Sequence, residues 1–269
     1  MGRKISVILL AVCLVTAFSV HAADTVYSKN AVGFGKTMIQ PGDFALCSPG
    51  FEGMASQNVQ EVLKDQMTKG FTSSTGDNCL LWDSVSQTYI TLYKIDTGGF
   101  IPEIDDKWVV AGGGGTPPLA SNELAVGSAF WLINNQASAQ EVCLKGDVPV
   151  APTGTVEIVE GFNFISYPFA ADIGLNDSDL AADGAAKGFT SSTADQVLEW
   201  DQDAQAYNVY FRLDTGGFVP VIDGKWVLSG GGGTPTLASN SLTLARGYFY
   251  NRLAGEGTLT WDEVKPYNL

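Results

Sequence analysis

The sequence predicts an all-β protein made of two tandem, homologous β-sandwich or barrel-like modules, with one short helix in each repeat. Three observations indicate this fold class. A long stretch of sequence occurs twice, short runs of β-branched and aromatic residues alternate with clusters of Gly, Asp, Asn and Ser, and helical patterns are scarce. With 45% hydrophobic and 11% aromatic residues among 269, the chain is also too apolar to be disordered.

The repeat has an offset of 118 residues. Residues 69–126 and 187–244 are identical at 35 of 58 positions without a gap. Because this unit is longer than a solenoid repeat, each copy is expected to be a domain rather than a stacking element. We therefore predict β-module 1 at 23–150 and β-module 2 at 151–269, with a Pro- and Gly-containing connector between them.

Residues 1–22 have the pattern of a secretory signal peptide. Arg3 and Lys4 precede an apolar run that ends in small residues at Ala22, where we expect cleavage. The run is shorter than the ~20 apolar residues that a spanning helix needs. We expect a protein that is secreted, periplasmic or on the outer surface of a bacterium, without membrane insertion after signal cleavage.

Composition excludes several classes of function. Cleavage would remove two cations and the only histidine, His21, which takes the formal charge from −14 to −16. An acidic chain is not expected to bind nucleic acid. Without histidine, Ser-His-Asp catalysis, Cys-His catalysis and histidine metal sites are not available. EF-hand spacing is absent as well, so we predict no metal site and no cofactor.

The strand candidates are short runs of β-branched and aromatic residues. The strongest are 88–95 and its counterpart 207–213, and the runs 108–110 and 129–133 add others. One short helix is expected at the same place in each module.

In module 1, Val59 and Leu63 lie on one helical face, after the capping residue Asn58. In module 2 the matching Ala-rich stretch 177–187 is interrupted by Gly184, so its helix is expected to be shorter.

Three cysteines remain after cleavage, and they are disulfide candidates because an exported protein meets oxidising conditions. They are Cys47, Cys79 and Cys143. The sequence does not decide which two would pair, and three unpaired hydrophobic thiols are an equal alternative.

A resemblance supports the modular interpretation. The run Gly-Phe-Asn-Phe-Ile-Ser-Tyr-Pro at 161–168 resembles the opening Gly-Trp-Asn-Leu-Ile-Ser-x-Pro of a small β-module of bacterial surface proteins, and 246–250 resembles its ending, Gly-Tyr-Trp-Val. The first copy departs from this opening at Asp43 and Ala45. The mature chain also resembles an uncharacterised family of secreted two-module repeat proteins of verrucomicrobia-like bacteria, whose members end in a Trp-containing tail. The resemblance implies export and β-structure, and it carries no reaction.

Asp96 and Asp214 are candidate catalytic residues. Each begins an Asp-Thr-Gly triplet, and bilobal aspartic proteases pair two such triplets so that their carboxylates share a proton and activate water. However, Gly99 and Gly217 follow the triplets, where that family has Ser or Thr. The alternative is a turn in which the Asp side chain accepts local amides and Gly adopts positive φ. We favour the turn.

Trp108 and Trp226 are candidate binding residues. They occupy equivalent positions between Asp-rich and Gly-rich loops, and exposed aromatic rings could stack on sugars. The alternative is that they are core residues, which we expect for each of the four tryptophans that occur at equivalent positions in both copies, Trp82, Trp108, Trp200 and Trp226.

The predicted function is an exported, non-catalytic structural or binding protein. Its partner would be another copy of the chain, or a cell-surface or extracellular component, possibly a glycan. The alternatives are a glycan-binding module and an aspartic-protease-like hydrolase that uses Asp96 and Asp214.

Overall fold

A computed structural model describes residues 31–53, 55–64, 66–112, 115–230 and 234–268. The predicted signal peptide, 1–22, lies outside the described residues. Within them the strands form five antiparallel sheets, and the helices are one short α-helix and one 3-10 turn at Ser191–Thr193, which confirms the all-β fold class.

The strands of the first half of the chain are β1 (Val32–Ile39), β2 (Phe44–Cys47), β3 (Asn78–Asp83), β4 (Thr88–Lys94), β5 (Trp108–Val110), β6 (Phe130–Ile133) and β7 (Gln140–Asp147). Those of the second half are β8 (Thr153–Ile158), β9 (Gly161–Ile165), β10 (Ile173–Gly174), β11 (Gln196–Asp201), β12 (Ala206–Arg212), β13 (Trp226–Leu228), β14 (Ser241–Leu242), β15 (Tyr248–Arg252) and β16 (Leu259–Val264).

The two halves have the same strand order. One five-stranded sheet has the order β2-β6-β3-β4-β5 and the other β9-β15-β11-β12-β13. Two-stranded sheets join β1 with β7, β8 with β16, and β10 with β14. Every pair of named strands therefore comes from one half of the chain. The division into independently folding modules at 23–150 and 151–269 stays a prediction.

In each half, the five-stranded sheet packs one face against a two-stranded sheet. The first core includes Ile39, Val142 and Leu144 against Leu92 and Phe130, and the second includes Ile158 and Trp261 against Val197, Trp226 and Tyr248. The alternation that builds these cores is plain in β16, where buried and exposed residues follow one another along its whole length.

A third apolar layer contains side chains from both halves. Leu46 and Trp131 of the first sheet meet Phe249 of the second. The Trp131 ring lies 5.1 Å from that of Trp200, centroid to centroid, and Phe164 lies 4.3 Å from Phe249. The two five-stranded sheets thus share an aromatic contact layer.

The helix of the first half is present but short. It is α1 (Val59–Val62), and the Asn58 side chain accepts the Gln60 backbone N–H at 2.8 Å, as expected of a capping residue.

The helix predicted at 177–187 is wrong, because turns occupy 175–184. The Ser178 side chain binds the backbone locally, since its hydroxyl donates to the Leu175 carbonyl at 3.0 Å, and Gly184 has a φ of 106°, outside the helical region. Both features favour turns over helix.

Candidate functional site: an exposed phenylalanine pair in each half

Two loops lie side by side at the far edge of the first five-stranded sheet. One contains 69–75 and the other contains 96–107. The Gly70 N–H donates to the Lys94 carbonyl at 3.0 Å, and the Asp96 N–H donates to the Gly70 carbonyl at 2.9 Å. A Cβ atom at Gly70 would lie 2.2 Å from the Gly76 nitrogen, so only glycine fits this contact.

The loop at 69–75 projects a phenylalanine into solvent. The Thr75 hydroxyl accepts the Thr72 N–H at 3.0 Å and closes a tight turn. Phe71 stands outside this turn with 75% of its surface exposed. Local hydrogen bonds therefore hold the backbone beside an apolar ring that the fold does not bury.

The second loop exposes another phenylalanine, again next to a turn that a local hydrogen bond closes. The Asp96 carboxylate accepts the Gly98 N–H at 2.9 Å, and Gly98 and Gly99 have φ angles of 61° and 81°. These bonds confirm the predicted Asp-Thr-Gly-Gly turn. Phe100 follows the turn and is 92% exposed.

A carboxylate inside the loop supports this turn. Asp105 accepts both the backbone N–H and the hydroxyl of Thr97, at 2.7 and 2.9 Å. These hydrogen bonds lower the pKa of Asp105, and nearby Lys69 lowers it further.

The second half repeats the arrangement. Phe189 and Phe218 are 77% and 91% exposed. Asp214 accepts the Gly216 N–H at 2.8 Å, and Asp223 accepts the Thr215 N–H at 2.6 Å. Hydrogen bonds from the backbone N–H and the hydroxyl of Thr215 lower the pKa of Asp223. In both copies, therefore, the same polar groups stabilise the loops that expose two phenylalanines.

We call the surface formed by Phe71, Phe100, Ile101 and Pro117 the first Phe surface. These residues line an open groove of about 660 Å³. We call the surface formed by their repeat counterparts, Phe189, Phe218, Val219 and Pro235, together with the exposed Val221, the second Phe surface. Among the described residues, none of the four phenylalanines packs against another aromatic ring.

Trp108 and Trp226 are not an exposed binding pair, and the expectation that they are core residues is confirmed. Both are core residues, with 1% and 0% of their surface exposed. They lie on β5 and β13 with their rings in the layer between the five-stranded and two-stranded sheets. An indole without exposed surface cannot stack on a ligand.

The structure gives Asp96 and Asp214 separate partners. Besides its own turn, Asp96 contacts Lys69 at 3.4 Å, and Asp214 contacts Lys187 at 3.3 Å. In the described part of the chain, no hydrogen bond joins the two carboxylates, which an aspartic-protease pair would require.

All three cysteines are free thiols. Cys47 and Cys79 are buried in the first core, and burial raises the pKa of Cys47 to about 12. Cys143 lies between Val142 and Leu144, whose side chains point into that core, so its thiol is on the opposite face of β7. The alternative of unpaired hydrophobic thiols therefore describes Cys47 and Cys79.

An open aromatic cleft lies between the two halves. We call it the central cleft; its volume is about 310 Å³, and its lining includes Trp82, Tyr89, Phe162, Tyr207 and Phe249. The Tyr89 ring packs edge-on against Trp82, with centroids 4.8 Å apart. Burial raises the pKa of both tyrosines, so their hydroxyls stay protonated at neutral pH.

Sequence reasoning did not single out the exposed phenylalanines, because it assigned most aromatic residues to the core. A signal was present. Phe100 and Phe218 directly follow two glycines in a turn, where a chain reverses at the surface. No comparable sequence pattern marks the residues that line the central cleft, since they come from both halves of the chain.

The described residues contain no cluster of three or more His, Cys, Asp or Glu side chains able to hold a metal ion. Across the same ranges, no helix combines the length and apolar character needed to span a bilayer.

Fold and surface together define an all-β protein with a duplicated, exposed apolar surface. Comparison with protein-family models, curated proteins and solved structures found no match to this chain.

Proposed function

We propose that this chain is an exported, non-catalytic binding or assembly protein that works through its two Phe surfaces. The observation that carries the proposal is the same pair of exposed rings in both halves, at Phe71 and Phe100 and at Phe189 and Phe218. Its partner would be a second copy of the chain, or a component of the cell surface or extracellular space.

Energetics support this interpretation. Large apolar side chains exposed together mark interaction sites, because they gain free energy when a partner removes them from water, about 25 cal/mol per Å². The turns beneath Phe100 and Phe218 are tied by hydrogen bonds from Thr97 and Thr215. A ring held in place loses less conformational entropy on binding.

The proposal gives Asp96 and Asp214 a structural role. Each carboxylate accepts a turn amide and contacts a lysine of its own half. Such groups are already neutralised locally, so they support the loops instead of activating water.

The test replaces all four exposed phenylalanines by serine. Purified wild-type and four-serine proteins are compared by sedimentation velocity and by cosedimentation with washed bacterial cell envelopes. We expect wild type to self-associate or to sediment with envelopes, and the four-serine variant to do neither. Val85→Ser is the matched control, because Val85 is exposed in the hairpin turn between β3 and β4.

The four serines are expected to leave the fold intact, since none of the rings belongs to a core cluster. The free energy of unfolding should change by less than about 0.5 kcal/mol per site. Wild-type protein that neither self-associates nor binds envelopes would contradict the proposal. A four-serine variant that behaves like wild type would contradict it equally.

The central cleft favours a second candidate function, glycan binding. Its volume is at the lower end of the roughly 300–1,000 Å³ range of small-ligand sites. Tyr89 and Tyr207 offer aromatic faces together with protonated hydroxyls, which suits the apolar face and hydroxyl groups of a sugar. The acidic chain favours an uncharged glycan over an anionic one.

Titration with soluble neutral oligosaccharides tests this candidate through tryptophan fluorescence, because Trp82 lines the cleft. Binding should change the emission of wild type and of the four-serine variant alike. Tyr89→Ala with Tyr207→Ala should abolish the change. A wild-type protein that shows no response, or a response that survives the double substitution, removes the candidate.

A further inference from the structure

The two Phe surfaces differ in charge at two positions. The first surface is bordered by the exposed side chains of Glu103 and Asp106. The second half has Val221 and Gly224 at the equivalent positions, and Val221 is 78% exposed. The second Phe surface therefore has one more apolar side chain and two fewer carboxylates than the first.

The remaining charges around the second surface cancel. Lys187 contacts Asp214 at 3.3 Å, and Lys225 and Asp223 add one charge of each sign. The whole chain carries a formal charge of −14, so two copies repel one another over most of their surfaces. A neutral apolar patch is the place where that repulsion is smallest and the gain from burial largest.

We infer that the second Phe surface is a self-association site that binds the second Phe surface of another copy of the chain. This inference rests on the proposed function and names the partner for one of its two surfaces. A surface that pairs with itself gives a symmetric dimer, which closes at two copies. The first Phe surface stays available in that dimer, because Glu103 of one copy would oppose Glu103 of the other there, whereas Asp106 is paired with Lys94 at 3.4 Å.

The size of the patch indicates a weak dimer. Stable dimers bury about 800 Å² on each partner. Phe189, Phe218, Val219 and Val221 form a smaller apolar centre, and the hydroxyl-rich loop at 190–193 supplies a polar rim. We expect the dimer to dissociate on dilution.

Exchange of one residue between the halves tests the inference. Val221→Glu gives the second surface the residue that the first surface has at the equivalent position, Glu103. The same fold therefore already carries a glutamate at this place in the first half. Wild-type protein is followed by sedimentation velocity from about 1 µM to about 1 mM. We expect a monomer-to-dimer shift for wild type, and Val221→Glu to stay monomeric over the same range.

Two controls separate charge from position. Val85→Glu adds the same charge at another exposed valine, and it should dimerise as wild type does. Glu103→Val makes the first surface resemble the second, and it should add species larger than a dimer because both ends would then associate. Equal unfolding midpoints would confirm that all variants are folded.

Wild-type protein that stays monomeric throughout would overturn the inference. Val221→Glu that dimerises like wild type would overturn it too. If wild type is monomeric but binds envelopes through its phenylalanines, this inference fails and the proposed function stands. If neither association nor envelope binding occurs, both fail.

Discussion

The indole nitrogen of Trp82 donates to the backbone carbonyl of Phe162 at 2.6 Å, across the contact between the two halves. The repeat-related pair does the same in the other direction, because Trp200 donates to the Phe44 carbonyl at 3.1 Å. Two copies of one sequence thus bind each other through reciprocal hydrogen bonds, as the two chains of a symmetric dimer do.

These two bonds should differ in their contribution to stability. The Phe162 carbonyl also accepts the Gln87 amide at 3.0 Å, so it keeps a partner when Trp82 is replaced. Among the described residues the Phe44 carbonyl has Trp200 as its only side-chain donor. We expect Trp200→Phe to cost about 1 kcal/mol and Trp82→Phe less. Urea unfolding measures both, and a larger cost for Trp82→Phe would be inconsistent with this geometry.

Each half has one buried carboxylate that supports its loops, and the two carboxylates bind different groups. Asp195 lies 2.6 Å from the Arg252 guanidinium and accepts the Tyr250 hydroxyl at 2.6 Å. Its counterpart Asp77 accepts amide groups, including the Gln140 side chain at 2.5 Å. Both carboxylates are fully buried.

Removing the charge should therefore matter more in the second half. Asp195→Asn leaves a buried guanidinium without its ion-pair partner, which costs about 3–5 kcal/mol. Asp77→Asn disturbs hydrogen bonds to neutral groups, which costs about 1–3 kcal/mol. Denaturant unfolding of both variants checks the order. Equal costs would show that the ion pair contributes no more than the amide network.

The Phe loops should be sensitive to acid. Hydrogen bonds from Thr97 and Thr215 lower the pKa of Asp105 and Asp223 below the usual value of 3.8. The folded state then binds fewer protons than the unfolded state, so this contribution to stability is present above about pH 4 and is lost as the pH falls.

We expect wild-type protein to lose stability between about pH 4 and pH 2 more steeply than a variant with Asp105→Asn and Asp223→Asn. Thermal unfolding across this range measures the slopes. Parallel slopes would mean that neither carboxylate is bound more tightly in the folded state.

The buried tryptophans should respond unequally to the same substitution. The Trp108 indole donates to the Leu63 carbonyl at 3.2 Å, whereas the Trp226 indole nitrogen has no hydrogen-bond partner among the described residues. A buried donor without a partner is destabilising. Trp226→Phe should therefore cost about 1 kcal/mol less than Trp108→Phe in equilibrium unfolding. The opposite order would indicate that the Trp226 nitrogen is satisfied.

Strand positions could be predicted because they depend on local pattern. The runs at 88–95 and 108–110 become β4 and β5, and β11 and β12 lie at the positions expected from the 118-residue offset. For Trp108 the repeat pattern favours a core position without deciding it. A tryptophan between loops is exposed or covered according to where those loops fold back, and that depends on distant residues such as Leu63.

The candidate site was predictable only in its turns. Two glycines after Asp96 indicate a reversal of the chain, and the structure has one. Whether Phe100 is then buried or exposed depends on what the rest of the chain packs against this loop, and the structure leaves the ring 92% exposed. The central cleft depends on how the halves pack, which no pattern within one repeat encodes.

The central claim is that the exposed phenylalanines are the part of the molecule that meets its partner. The most direct measurement is the associated fraction of purified protein, by sedimentation velocity and by cosedimentation with washed bacterial envelopes, compared between wild type and the variant with serine at 71, 100, 189 and 218. The account predicts that wild type and Val85→Ser self-associate or sediment with envelopes, and that the four-serine variant does neither. Equal association of all three proteins would contradict it.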